Sequence, residues 1–131
     1  MDCPLAIAGI VVHGDARGRG LGFPTANVAV PSAVELPRNG IYAGWLQRAR
    51  GGRLASAISV GLRPTFYETA RESLVEVHVL DWSGNLYGEQ VRVEFVAWLR
   101  EELRFENIDS LVAQMRADCS AARALLANGV A

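Results

Sequence analysis

The sequence predicts a small closed antiparallel β-barrel with one α-helix packed on it at the C-terminal end. Short segments rich in β-branched residues alternate apolar and polar positions from Leu5 to Trp98. Glycine, proline and asparagine punctuate them at hairpin-like intervals. Only after Asn107 does the apolar spacing change to a helical one. Many short strands joined by hairpins favour closure, because a closed sheet leaves no unpaired edge.

The elements follow in order. Leu5 to His13, with Ile7, Ile10, Val11 and Val12, reads as the first strand. Ala26 to Val30 is a short strand stopped by Pro31. Val34 to Asn39 connects onward through Pro37 to a turn at Arg38-Asn39-Gly40. Ile41 to Arg50 and Arg53 to Gly61 flank Gly51-Gly52, a two-residue hairpin signal. From Gly61 to about Ser73 the sequence predicts a loop with Arg63, a second Pro-Thr pair, Phe66 and Tyr67. A loop that long in a small domain is usually functional, and a mobile flap over a ligand is expected.

Leu74 to Trp82 alternates cleanly, with Val75, Val77 and Val79 on the core face and Glu76, His78 and Leu80 opposite. Ser83-Gly84-Asn85 turns the chain, and Leu86 to Gly88 carries Tyr87. Gln90 to Trp98 alternates again, placing Val91, Val93 and Phe95 together. Asn107 or Asp109 then caps a helix. Its apolar face is Ile108, Leu111, Val112, Met115, Cys119, Ala122 and Leu126. Trp45, Trp82 and Trp98 are expected mainly as packing residues.

The 131 residues fit a single domain, and half of them are hydrophobic, enough for a core without staples. A net charge of −1 disfavours nucleic acid and membrane surfaces as partners. Cys3 and Cys119 make no disulfide framework and have no metal spacing. They read as reduced thiols, Cys119 as a small buried hydrophobe, in a cytoplasmic protein. No apolar run approaches membrane-spanning length.

Chemistry concentrates in Gly14 to Asn27. Glycines at 14, 18, 20 and 22 let backbone N–H groups turn toward an anion. Arg17 and Arg19 add donors suited to phosphate oxygens. Pro24 fixes the chain direction where Thr25 and Asn27 follow. A hydroxyl and an amide carbonyl are hard oxygen ligands suited to Mg²⁺. The loop is not a dinucleotide fingerprint, since Phe23-Pro24-Thr25 follows where a helix should open. Nor is it a P-loop, because all thirteen basic residues are arginine. Downstream, Glu76 at mid-strand is a candidate general base, although a lone strand carboxylate is more often a solvated side chain. His78 is a structural neighbour on the same face.

Together these segments resemble riboflavin kinase, the flavokinase domain that also forms the C-terminal half of bifunctional bacterial FAD synthetases. The matching residues are Gly14 with Arg17-Gly18, then Leu21-Gly22-Phe23-Pro24-Thr25-Ala26-Asn27 and Leu36-Pro37. Gly40-Ile41-Tyr42-Ala43-Gly44, Gly61-Leu62-Arg63-Pro64-Thr65-Phe66 and Val75-Glu76-Val77-His78 follow. Leu86-Tyr87-Gly88, Leu99-Arg100, Phe105 and Asp118 complete the set. The resemblance covers nearly the whole chain. It implies a six-stranded Greek-key barrel with a C-terminal helix, and transfer of the ATP γ-phosphate to the 5′-hydroxyl of riboflavin, giving FMN and ADP. Thr25 and Asn27 would serve Mg²⁺ and the phosphates, and Glu76 would be the catalytic residue. Gly14, Arg17, Gly18, Arg19, Gly22 and Pro24 would surround the nucleotide, with Val79, Asp81 and Tyr87 on its adenosine side. Arg63, Arg100, Leu103 and Phe105 would lie near the flavin.

The departures fall in the glycine loop, on the flavin side and at the helix cap. Ala16, Glu101 and Leu103 or Arg104 stand where relatives often carry glycine, proline and lysine, and Asn107 replaces a common capping serine. The His-x-Gly-His-type motif of an N-terminal FMN adenylyltransferase domain is absent, so the expectation is a kinase domain spanning 1–131 that does not make FAD. It is either naturally monofunctional or excised from, or associated with, such a module. Three other readings compete. A non-catalytic flavin carrier or sensor would have no need of the Thr25, Asn27 and Glu76 set. An oligonucleotide-binding barrel would want a basic groove. A purely structural domain leaves the glycine loop without a purpose.

Overall fold

The computed structural model describes residues 6–12, 25–31, 34–64, 71–82, 84–102 and 106–127, with the backbone alone at 62–64 and 71–74. The strands are β1 (Ala6–Val12), β2 (Ala26–Ala29), β3 (Gly40–Arg48), β4 (Arg53–Pro64), β5 (Arg71–Val79) and β6 (Gln90–Arg100). One helix, α1 (Ile108–Ala127), follows. The strands close into a six-stranded barrel in the order β1-β2-β5-β4-β3-β6, every neighbouring pair antiparallel.

Period-two alternation sends one set of side chains inward. Ile7, Val11, Val28, Leu46, Ile58, Val60, Val75, Val77 and Val93 fill the barrel, with Phe95 edge-on to Tyr42. The valine face of β5 is the core face, as its alternation predicts. A second apolar cluster lies outside the barrel. There Cys119, Ala122 and Leu126 of α1 cover Ala43, Ala57 and Leu80. Ala43 and Ala57 are directly opposed across β3 and β4, and their small side chains let the helix come close. Burial raises the Cys119 thiol above its ordinary range, consistent with a packing role. Cys3 lies outside the described residues.

Asn107 caps α1, its Oδ1 accepting the Ser110 N–H at 2.8 Å. The buried face of the helix is shorter than its apolar spacing suggests. Ile108 is largely exposed, and Leu111, Val112 and Met115 are half-buried. Trp82 and Trp98 pack against the barrel core and Trp45 against the helix-side cluster, each beneath an arginine: Arg48, Arg38 and Arg53 respectively. Among the described residues no helix is long and apolar enough to cross a membrane.

Several boundaries differ from the sequence reading. The β3–β4 connection is four residues long, because Ala49 and Arg50 leave the ladder before the left-handed pair Gly51 and Gly52 (φ 97° and 84°). Arg48 N–H closes it on the Gly52 carbonyl at 2.9 Å. The loop expected from Gly61 to Ser73 is largely ladder. Gly61 pairs with Leu74 and the hairpin continues to Pro64 opposite Arg71, since a strand-terminal proline leaves the pairing before it intact. The flap expected at Phe66 and Tyr67 lies outside the described residues. Strand β5 ends at Val79, where Leu80 and Asp81 turn with Asp81 left-handed (φ 55°). Tyr87 sits in the turn that follows Asn85, its N–H bonded to Asn85 Oδ1 at 2.9 Å. The chain bends at Asn39 to enter β3, and the Arg38 carbonyl accepts the Tyr42 hydroxyl at 2.6 Å.

Candidate active site

The site is built on the outer face of β5. Val75 and Val77 point inward, so alternation turns Glu76 outward, and it is half-buried there. On β2, Val28 points inward and Asn27 outward, directly opposite Glu76 in the ladder. Thr25, two residues before Asn27, brings its Oγ1 to 3.5 Å from Glu76 Oε2. That distance is at the limit of a hydrogen bond. Asn27 is 6% exposed, a buried amide on the outside of a barrel. Ser59 of β4 stands opposite Glu76 on its other side. His78 continues the outer face of β5 opposite Ala57.

No group of His, Cys, Asp and Glu side chains among the described residues forms a metal cage. A hydroxyl and an amide oxygen are instead the hard, sparse donor set of a divalent ion that keeps waters and phosphate oxygens as its remaining ligands. The residues present therefore fit Mg²⁺ in the company of a nucleotide.

The remaining expected residues are spread around this point. Val79 faces the barrel interior, so any contact with a nucleotide runs through its backbone. Asp81 is exposed and forked onto Arg123 of α1, at 2.8 Å (Nε to Oδ2) and 2.9 Å (Nη2 to Oδ1). Hydrogen bonding to that guanidinium holds its carboxyl below the usual range. Tyr87 is 54% exposed on its turn. Arg100 ends β6 with its guanidinium occupied: Nε and Nη2 fork onto Asp118 at 2.9 and 2.7 Å, and Nη1 donates to the Glu101 carbonyl at 2.8 Å. Gln114 gives buried Asp118 another donor at 3.1 Å. Arg63 has its backbone placed opposite Glu72. Gly14, Arg17, Gly18, Arg19, Gly22, Pro24, Leu103 and Phe105 lie outside the described residues.

Sequence reasoning brought out Thr25, Asn27 and Glu76, and the structure brings those three together. It missed Ser59, because a serine in a strand carries no signal until its cross-strand neighbour is known. It also missed the pairing of Arg100 with Asp118. An acidic residue beside Cys119 on the buried helix face was the available hint.

Fold and site define a class first: a closed barrel whose polar centre sits on its outer wall, where a hydroxyl, an amide and a carboxylate meet, rather than in its lumen. The model of the riboflavin kinase (flavokinase) family matches residues 1–126, and the chain belongs to that family. The bifunctional riboflavin kinase/FMN adenylyltransferase of Bacillus subtilis is 37% identical over 117 residues, covering 88% of this chain and 36% of that protein. Among solved structures, riboflavin kinase from Trypanosoma brucei matches with a TM-score of 0.68 at 26% identity, over 92% of this chain and 78% of that one. A Streptococcus pneumoniae structure described as a macrolide-efflux protein matches with a TM-score of 0.82 at 36% identity, over 92% of this chain and 38% of that one. The chain spans about two fifths of the length of the curated relatives it matches.

Proposed function

We propose that this chain transfers the γ-phosphoryl group of Mg²⁺-ATP to the 5′-hydroxyl of riboflavin, releasing FMN and ADP. One observation carries the reading beyond family membership. Asn27 and Glu76 are directly opposed across β2 and β5, with Thr25 Oγ1 at 3.5 Å from the carboxylate. A metal-and-phosphate clamp and a proton acceptor thus share one small area of the wall, as phosphoryl transfer requires.

Phosphoryl transfer asks a protein for alignment and charge neutralisation more than for covalent chemistry. Thr25 and Asn27 would hold the metal and the phosphates, and Mg²⁺ when bound would offset the charge gathering on the β- and γ-phosphates. Glu76 orients the riboflavin hydroxyl and takes its proton. The 5′-oxygen bonds to the γ-phosphorus as the bond to the β–γ bridging oxygen breaks, and ADP leaves with that electron pair. Arg17, Arg19 and the loop N–H groups add positive potential around the nucleotide. Arg63, Leu103 and Phe105 belong to the flavin side. The relatives' names carry a second activity, FMN adenylyltransferase. The residues matched here are those of the kinase family model, and only the kinase step is proposed for them.

The test is incubation with riboflavin, ATP and Mg²⁺, followed by chromatographic separation of the flavins. FMN is expected with all three present and not when any one is left out. Its absence from the complete mixture overturns the assignment.

A further inference from the structure

The connection between β5 and β6, residues 80–89, crosses one end of the barrel. It leaves β5 after Val79 and returns alongside β1. There Val11 N–H donates to the Glu89 carbonyl and Gly88 N–H to the Val11 carbonyl, both at 2.9 Å. The next residue of β1, Val12, opposes Asn27 of β2. On the other side Val77 opposes Ala26, so β5 runs past the start of β2 before the chain turns. The connection therefore borders the end of the wall that carries Thr25 and Asn27.

Two arginines from other elements grip its two ends. Near its start, Asp81 accepts from Nε and Nη2 of Arg123 on α1. At its finish, Glu89 accepts from Nε and Nη2 of Arg48 on β3. Arg48 also lies over the Trp82 ring, 5.5 Å from its centroid, so it bears on both halves of the connection. Between the grips, Leu86 is buried in the barrel core and Trp82 packs against that core. Asp81 keeps a left-handed backbone (φ 55°), which a non-glycine residue holds where its surroundings fix it. A guanidinium making two parallel bonds fixes direction as well as distance. Both forks are partly exposed, so their worth to overall stability is small. At the two ends of one segment, they set the shape of that segment rather than the survival of the fold.

In-line transfer places the leaving group opposite the acceptor. With the acceptor hydroxyl at Glu76 and the metal at Thr25 and Asn27, the departing diphosphate and its nucleoside lie toward β2 and β1, against this connection. Exposed Tyr87 is the aromatic surface it offers there. Resting on the kinase reading above, we propose that Arg123 and Arg48 are positioning residues for the nucleotide. Acting through Asp81 and Glu89, they hold residues 80–89 preformed as the wall against which the nucleoside half of Mg²⁺-ATP binds. Nucleotide affinity is then set in part from α1 and β3, two elements outside the metal clamp.

The experiment measures kcat and the KM values for Mg²⁺-ATP and riboflavin, with the Kd for Mg²⁺-ADP from isothermal titration. Arg123→Ala and Glu89→Gln each raise the two nucleotide constants about two- to five-fold, the worth of one partly exposed ion pair, and the double variant raises them further. The kcat and the riboflavin KM stay at wild-type values, a split that general loosening of the fold would not produce. Arg123→Lys keeps the charge without the fork, so it behaves like the alanine variant and replaces it if that variant folds poorly. Glu94→Gln removes the ion pair between Arg53 and Glu94, 4.0 Å apart on the barrel wall, and leaves every constant unchanged. Unchanged nucleotide constants in both fork variants, an equal rise in the riboflavin KM, full rescue by Arg123→Lys, or the same rise in Glu94→Gln overturns the proposal. If the wild type forms no FMN, the kinase reading itself fails and this proposal falls with it. FMN formation by the wild type alongside unaffected fork variants removes only the anchoring.

Discussion

Strand β5 has two sides that meet opposite demands. Inward, Val75, Val77 and Val79 lie in a core with no polar partners to satisfy, and any residue of the right shape serves there. Outward, Glu76 and His78 share a face with Thr25, Asn27 and Ser59, the polar side chains of the proposed site. Inner positions are therefore expected to govern whether the chain folds, and outer positions whether the folded chain turns over. A variant that crosses this division would refute it.

The largest effect is expected at the outer carboxylate. Glu76→Gln should lower kcat on the order of a hundred- to ten-thousand-fold while riboflavin and ATP still bind, measured by steady-state kinetics beside binding titrations. An undiminished kcat removes Glu76 from proton transfer. The matching change inside the barrel is Ile58→Ala. Ile58 is fully buried, and its truncation should cost about 2–5 kcal/mol in urea unfolding, with kcat per folded molecule unchanged. Asp118→Asn should cost about 3 kcal/mol, because it leaves the Arg100 guanidinium largely buried without its counter-charge. Weakened riboflavin binding in this variant, with ATP binding intact, would tie the pair to the flavin side of the site.

Asn27→Ala and Thr25→Ala are expected to raise the Kd for Mg²⁺-ATP more than that for riboflavin, and equal changes in isothermal titration would break the assignment of that end to phosphates. The smallest effect concerns pH. Hydrogen bonding to Arg48, at 3.0 Å (Nε to Oε1) and 2.6 Å (Nη2 to Oε2), holds the Glu89 carboxyl below its ordinary range. Its contribution is therefore present above the unfolded-state pKa and fades as pH falls through the lower, folded-state one. Glu89→Gln should narrow the gap in melting temperature between neutral and acidic buffer. A gap identical to the wild type's would show the pair to be energetically silent.

The same division decided what could be read from the chain alone. Alternation identifies the inner face of β5 outright, since burial is a local pattern repeated every second residue. The convergence of Thr25, Asn27 and Glu76 was legible only through a motif, because two of these residues lie about fifty positions from the third and only strand pairing joins them. Ser59 left no trace for the same reason, with no motif to make up for it. The β4–β5 hairpin was underestimated because Arg63-Pro64 reads as a breaker, whereas proline at a strand end leaves the ladder before it intact. Arg100 was placed beside a ligand by analogy, while its neighbour across space, Asp118, lies on the last element of the chain.

Strand β6 has a further consequence for how the molecule comes into being. It is hydrogen-bonded to β1 on one side and to β3 on the other, yet it is the last of the six barrel strands to be synthesised. Until residues 90–100 are available, a nascent chain holds two bare ladder edges that invite pairing with other chains. Contacts this distant in sequence also form slowly. Translation stalled or truncated ahead of Gln90 should therefore yield a species that chaperones must hold, and the completed β6 acts as the bolt that ends that exposure.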